Sequence, residues 1–264
     1  MTLSEFAQAL ESEAHVWLFS LPPSTGWDAA RLDELTSWLS ESERERASDF
    51  RMKEDRVQFI AAHAFLRHVL SRYLPERGPQ TWDYVIGPYG RPELAEPELR
   101  WLRFNLSHTG GLAACAVSRQ LDCGVDVERR DKRRNFLGMS RTAFSELEQA
   151  ELRQIPEERR QARFYEVWTL KEAYIKAIGM GLSQPLHQFS FALSAEGGAQ
   201  FEPAPRRPAQ PWAFYLEQPS ELHQLALALG ATPAGGVRLF ALDSAFQSGE
   251  ARLLEKSFGS IAGT

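Results

Sequence analysis

Two carboxylates stand two residues apart, Asp126 and Glu128, in the run Cys123-Gly124-Val125-Asp126-Val127-Glu128. The valines make this run a strand, and a strand sends successive side chains to opposite faces. Val125 and Val127 then belong to a core side, and Asp126 and Glu128 share the other. An antiparallel strand with one wet face accounts for that alternation. Two like charges side by side also want a counter-cation, and carboxylate oxygens suit Mg2+. A second cluster of charge lies in ARFYEVWTLKEAYIKAIG (162–179), a strong helical pattern. Phe164, Val167, Trp168, Leu170, Tyr174, Ile175 and Ile178 form one apolar arc, with Lys171 near its middle. A lysine there must snorkel out, pair with an acid or meet an anionic ligand. Glu172 and Lys176, spaced i, i+4 on the border of the arc, have the form of an ordinary surface pair. That form does not account for Lys171.

Other elements must hold these groups. HVWLFSL (15–21) has the composition of a strand, and DAARLDELTSWL (28–39) of a helix. The very charged stretch 40–56 leads into an amphipathic helix over 54–74, ended near Pro75. A Gly/Pro-rich turn region follows, containing GPYGRPE (87–93). WLRFNLS (101–107) alternates as a strand, and 112–118 with 121–128 is expected to form a hairpin turning at Arg119-Gln120. Ser145 and Glu148 have capping-box spacing at a helix start, and Gly179 closes the helix over 162–179. Strands are expected at 188–194, 212–217, 223–229 and 237–243, with a loop region over 195–211. There is no strict repeat, but two halves of similar size and element content fit this order.

Bulk properties exclude several classes. The 264 residues are 43% hydrophobic and 25% charged, with a net charge of -5, so the broad basic footprint of a nucleic-acid binder is missing. No apolar run approaches the roughly 20 residues that span a bilayer. MTLSEFAQALESE carries acid where a signal peptide carries base, and the two cysteines, Cys115 and Cys123, fit no zinc spacing. These features point to the cytoplasm.

GVDVE (124–128), followed by FYEVWTLKEAYIKAIGMGLS (164–183), resembles the paired motifs of the 4′-phosphopantetheinyl transferases of the longer, single-chain Sfp type. YGRP (89–92) and FNLSHTGG (104–111) resemble upstream elements of the same family. The resemblance is close over about 86–192 and weak toward both ends. It implies an α+β fold of two similar halves in a pseudo-twofold arrangement, residues 1–118 and 119–264, with the active site and coenzyme A in the cleft between them. It also implies a reaction in which a carrier-protein serine attacks the β-phosphate of coenzyme A, takes the phosphopantetheine group and releases 3′,5′-ADP.

The resemblance assigns roles. Asp126, Glu128 and Glu172 would bind Mg2+, and Glu172 would remove the serine proton, directly or through a water. Lys171 and Lys176 would meet the phosphates or the leaving group, with Lys176 counted as catalytic. Arg91 would meet the nucleotide end of coenzyme A, and Ser107 and His108, just past a strand end, a phosphate. Arg44, Arg46, Lys53 and Arg56 are available for the 3′-phosphate, though a charged helix face explains them equally well. The basic-then-apolar run RRDKRRNFLGM (129–139) is a candidate docking surface for an acidic acyl, peptidyl or polyketide carrier. A monomer is implied by the two-half construction. Two alternatives use the same residues: a metal-dependent hydrolase of nucleotide pyrophosphates, and a non-catalytic module binding coenzyme A or carrier protein.

Overall fold

The computed structural model describes residues 3–23, 26–131, 135–194, 198–205, 210–242, 251–257 and 260–263. The chain divides into two units. The first comprises Met1–Val85, Pro92–Gln120 and Pro233–Ser257, and the second Ile86–Arg91, Leu121–Thr232 and Phe258–Thr264.

The first unit is built on a five-stranded sheet. Its strands are β1 (Ala14–Ser20), β4 (Leu102–Thr109), β5 (Leu112–Arg119), β11 (Val237–Leu242) and β12 (Ala251–Ser257), in the order β12-β11-β1-β5-β4. β1 is central and almost wholly apolar, as a strand covered on both faces must be. It pairs antiparallel with β5 and parallel with β11. Among the described residues the α-helices of this unit are α1 (Leu3–Ala9), α2 (Ala29–Trp38), α3 (Glu41–Ser48) and α4 (Lys53–Ser71). Helix α4 is submerged, with Phe59, Ile60, Phe65, Leu66, Val69 and Leu70 all in the core. Its Phe65 stacks on Phe19 of β1, and Trp17 of β1 stacks on Phe240 of β11. A short hairpin pairs β2 (Tyr84–Ile86) with β3 (Pro92–Leu94).

The second unit carries a four-stranded sheet of β6 (Cys123–Arg129), β9 (Ala213–Ser220), β10 (His223–Leu229) and β13 (Ser260–Gly263), in the order β13-β9-β10-β6. A two-stranded sheet joins β7 (Ser190–Leu193) to β8 (Ala199–Glu202). The helices are α5 (Phe136–Ala143), α6 (Glu146–Gln154) and α7 (Glu157–Ala177). Tyr174 of α7 lies among Phe189, Phe201, Trp212 and Phe214, an aromatic cluster that fixes the helix on its sheet. Both units thus mix helices with mainly antiparallel sheet, the α+β class expected. Among the described residues, no helix is long and apolar enough to cross a membrane.

Several expectations are corrected. The segments 112–118 and 121–128 form no hairpin: β5 pairs with β1 and β4, whereas β6 pairs with β10 over His223–Leu229. Between them Gln120 takes a left-handed φ of 60°, its N–H held by the Trp101 carbonyl, and the chain leaves the first unit. The division at 118/119 is also too simple, because β11 returns residues near the C-terminus to the first unit as the parallel neighbour of β1. The charged stretch after residue 40 contains a helix, α3, opened by a capping box of Ser40 and Glu43. The carboxylate face of β6 is not an open wet face: Asp126 is buried and Glu128 half-buried, while Val125 and Val127 are in the core as expected. In the docking run 129–139, Lys132, Arg133 and Arg134 lie outside the described residues.

Candidate active site

Gly124 lets helix α7 lie directly against β6. A Cβ at Gly124 would stand 2.1 Å from the carbonyl oxygen of Ala173 and 2.4 Å from the nitrogen of Ala177. Only glycine permits that approach of strand to helix backbone. The rise of the two elements then keeps them in step. Four helical residues advance about 6 Å, and two strand residues about 6.6 Å. Trp168, Glu172 and Lys176, each four apart on α7, therefore meet the residues on one face of β6. Trp168 Nε1 donates to Glu128 Oε1 at 3.3 Å, and Lys176 Nζ donates to Asp126 Oδ1 at 2.6 Å and to the Val125 carbonyl at 3.3 Å.

Glu172 feels both strand carboxylates. Burial first, then repulsion from Asp126 and Glu128, pushes its pKa up to about 7, against the pull of Lys176. Asp126 Oδ2 is buried and takes no hydrogen bond among the described residues. Among those residues, no group of three or more His, Cys, Asp or Glu side chains is arranged to hold a metal ion. The donor chemistry of Asp126, Glu128 and Glu172, all carboxylate, still suits a hard cation. The ammonium of Lys176 is the positive charge set directly against Asp126.

Lys171, expected to meet the phosphates, is instead engaged within the protein. It is fully buried, and its Nζ lies 2.8 Å from Glu148 Oε2, 2.8 Å from the Leu186 carbonyl and 2.6 Å from the Phe189 carbonyl. An ammonium has three N–H donors, and these partners take all three. The ring of Phe189 lies 4.5 Å from the same nitrogen. Burial pulls Lys171 down and pushes Glu148 up, and their mutual attraction opposes both shifts. Of the three fates open to a lysine in an apolar arc, pairing with an acid is the one realised. Removing one partner of such a buried pair typically costs about 3–5 kcal/mol.

Arg91 lies at the C-terminal end of α7. Its Nη1 donates to the Ala177 carbonyl at 2.9 Å and to Asp122 Oδ1 at 3.3 Å. Gly179, at a φ of 67°, leaves room for it, since a Cβ there would stand 2.9 Å from the guanidinium carbon. Ser107 and His108 belong to the first unit. Both sit within β4, opposite Ala114 and Ala113, and not in a loop beyond its end. The hairpin turn is confined to Gly110-Gly111, with Gly111 at a φ of 94°. Ser107 is buried and His108 exposed, as neighbours on a strand alternate.

The chain is also similar to known proteins. The family model described as "4'-phosphopantetheinyl transferase superfamily" matches residues 122–229, which span β6 through β10 and include α7. The 4'-phosphopantetheinyl transferase HetI of Nostoc sp. is 34% identical over 74% of this chain and 81% of its own length. The 4'-phosphopantetheinyl transferase Sfp of Bacillus subtilis is 30% identical over 64% of this chain and 73% of its own length. A holo-(acyl-carrier-protein) synthase structure from Bacillus anthracis aligns with a TM-score of 0.36 at 15% identity, over 41% of this chain and 93% of its own, a likeness too slight to define the fold further. The chain belongs to the 4′-phosphopantetheinyl transferase family.

Proposed function

We propose that the chain transfers the 4′-phosphopantetheine group from coenzyme A to a serine hydroxyl of an acyl, peptidyl or polyketide carrier protein, with 3′,5′-ADP as the leaving group. The observation that carries this reading is the meeting of Glu172 and Lys176 on α7 with Asp126 and Glu128 on β6, in a chain of this family. Asp126, Glu128 and Glu172 would hold Mg2+, which when bound neutralises charge on the pyrophosphate. Glu172 is assigned to accept the serine proton, directly or through a water. Lys176 stabilises negative charge gathering on the leaving group, and Trp168 restrains Glu128. Arg91, Ser107 and His108 are assigned to coenzyme A, with the exposed His108 as the imidazole facing solvent.

The carrier is assigned to residues 129–139. Arg129, at the end of β6, is exposed, and Leu137 on α5 is an exposed apolar side chain. Acidic carriers would be steered by the basic run and anchored by α5. The reaction takes place in the cytoplasm, on a monomer, and the two cysteines, both buried free thiols, accord with a reducing compartment.

The test is the mass of an apo carrier protein after incubation with this chain, coenzyme A and Mg2+. A gain of one phosphopantetheine group supports transfer. Release of 3′,5′-ADP without any carrier would instead identify a hydrolase, and no change in either species would leave a binding module. For the docking surface, Arg133→Glu with Arg134→Glu should raise KM for the carrier and leave KM for coenzyme A unchanged. An unmoved carrier KM at low salt would refute that placement.

A further inference from the structure

The Glu148–Lys171 pair joins more than two residues. Glu148 is the third helical residue of the capping box that opens α6, and its Oε2 also accepts from the Ser145 backbone N–H at 2.8 Å. Its Oε1 accepts from the Phe191 N–H at 2.8 Å, while Lys171 reaches on to Leu186 and Phe189. One ion pair therefore fastens α7 to the start of α6, to the chain that leaves α7 and to the first residues of β7.

The first unit contains the same device. Glu43 is the capping-box residue of α3, and its Oε2 accepts from the Ser40 N–H at 2.8 Å. It accepts from Arg67 of α4 at 2.6 and 3.0 Å, and Arg67 donates onward to the carbonyls of Pro79 and Trp82. Arg67 is buried as completely as Lys171. Glu43 and Arg67 lie 24 residues apart, one more than Glu148 and Lys171. Arg67 meets carbonyls 12 and 15 residues beyond it, and Lys171 meets carbonyls 15 and 18 beyond. The strand beside α4 carries no carboxylate at its centre: Arg72 lies over the ring of Trp17 there. A capping glutamate, a buried cation on the long helix and two carbonyls of the following chain thus recur where no carboxylate pair exists. The cation is part of how each long helix is held, and phosphate binding does not explain it.

In the second unit the hold acquires a consequence. Lys171 adjoins Glu172 in sequence, while Ala173 and Ala177 on the facing side are pressed against Gly124. Helix α7 is gripped on both sides within one turn of Glu172, so its rotation about its axis is fixed there. We propose that Glu148 and Lys171 act as a positioning couple for the transfer reaction, setting the rotation of α7 that aims Glu172 and Lys176 at β6. This rests on the proposed function.

The experiment compares kcat, KM for coenzyme A and melting temperature of the full chain with apo carrier, coenzyme A and Mg2+. In Glu148→Gln/Lys171→Met, kcat should fall at least about tenfold, because a misplacement near 1 Å costs on the order of a hundredfold, and KM for coenzyme A should hold. Lys171→Arg should retain most of kcat, since arginine plays this part in the first unit. The matched Glu43→Gln/Arg67→Met should lower the melting temperature by a similar amount while keeping kcat. A large rise in KM for coenzyme A with kcat intact would overturn the proposal and return Lys171 to the phosphates. An equal loss of kcat in both double variants at equal loss of stability would reduce the couple to a stabilising contact. Where the double variant fails to fold, Glu148→Asp is read the same way: a fall in kcat at constant KM supports the couple, and an unmoved kcat refutes it. Wild-type transfer in the same mixture separates the two readings. Its absence defeats the functional reading, whereas wild-type transfer with an unmoved kcat in the folded double variant defeats the couple alone.

Discussion

Gly124→Ala adds one methyl group where β6 meets α7. The new carbon would stand 2.1 Å from a main-chain oxygen and 2.4 Å from a main-chain nitrogen, and side chains essentially never approach closer than 3.0 Å. No side chain can rotate to relieve the clash, because the atoms met are backbone. Strand and helix must part by about 1 Å. Overpacking of this kind costs at least about 3 kcal/mol, at the upper end of its usual range. For a chain of this size that corresponds to a fall in melting temperature of roughly 6–12 °C. The opening also carries Asp126 and Glu128 away from Glu172 and Lys176, and a 1 Å misplacement lowers turnover by about a hundredfold. The assay is carrier-protein transfer at saturating substrates, with thermal unfolding measured on the same preparations. Adding Ala177→Gly should not rescue either property, since it leaves the offending nitrogen in place. Wild-type turnover with unchanged melting, or rescue by Ala177→Gly, would refute the reasoning.

Other outcomes follow from groups placed in the structure. His15 is fully buried, with Nδ1 2.8 Å from the Tyr73 hydroxyl and Nε2 3.2 Å from Glu13, and burial, only partly opposed by Glu13, brings its pKa down to about 4. The folded state thus favours neutral His15, so its contribution is complete above pH 6.5 and is lost as pH falls toward 4, a change of about 3 kcal/mol. Urea unfolding of wild type and His15→Gln at pH 7 and pH 4 should differ by that order, and parallel pH profiles would exclude it. Glu172 has the opposite sign: its pKa is raised to about 7, so its ionisation opposes folding as pH rises. Glu172→Gln should therefore raise the melting temperature at pH 8 more than at pH 5 in metal-free protein, and Mg2+ should stabilise wild type more than the variant. Gly179→Ala strains a φ of 67° and displaces Arg91, so it should lower thermal stability and raise KM for coenzyme A. An unchanged KM would remove Arg91 from the binding surface.

The parts legible in the sequence are those specified by local pattern. The apolar period of α7, the alternation in β4 and the capping box at Ser145 all depend on neighbours within a few residues. What the sequence concealed depends on partners far along the chain. Lys171 could be recognised as needing an anion, but choosing between an acid and a ligand required Glu148, which looked complete as a helix cap. One carboxylate with two oxygens does both tasks. The second capping box, Ser40 to Glu43, was readable by the same rule and would have opened α3 inside the charged stretch. The false hairpin arose because 112–118 and 121–128 are each good strands separated by a short polar link. Adjacency in sequence suggested a pairing that β10 and β1 take instead. Gly124 gave no pattern of its own, since its role is defined by atoms on another element.

The parallel pairing of β1 with β11 has a consequence for the order in which the chain is made. β1 leaves the ribosome more than two hundred residues before β11. At 5–20 residues per second the interval is roughly 10–45 s. β1 has neither neighbour until β5 is made and lacks its β11 partner throughout, so an apolar edge carrying Val16, Trp17, Leu18 and Phe19 stays open to any passing strand. Meanwhile β6 and β10, and α7 between them in the chain, are all made before β11 emerges. The unit holding the carboxylates can therefore pair β6 with β10 while the earlier unit still waits, and nascent chains stalled in that window should be those most in need of a chaperone.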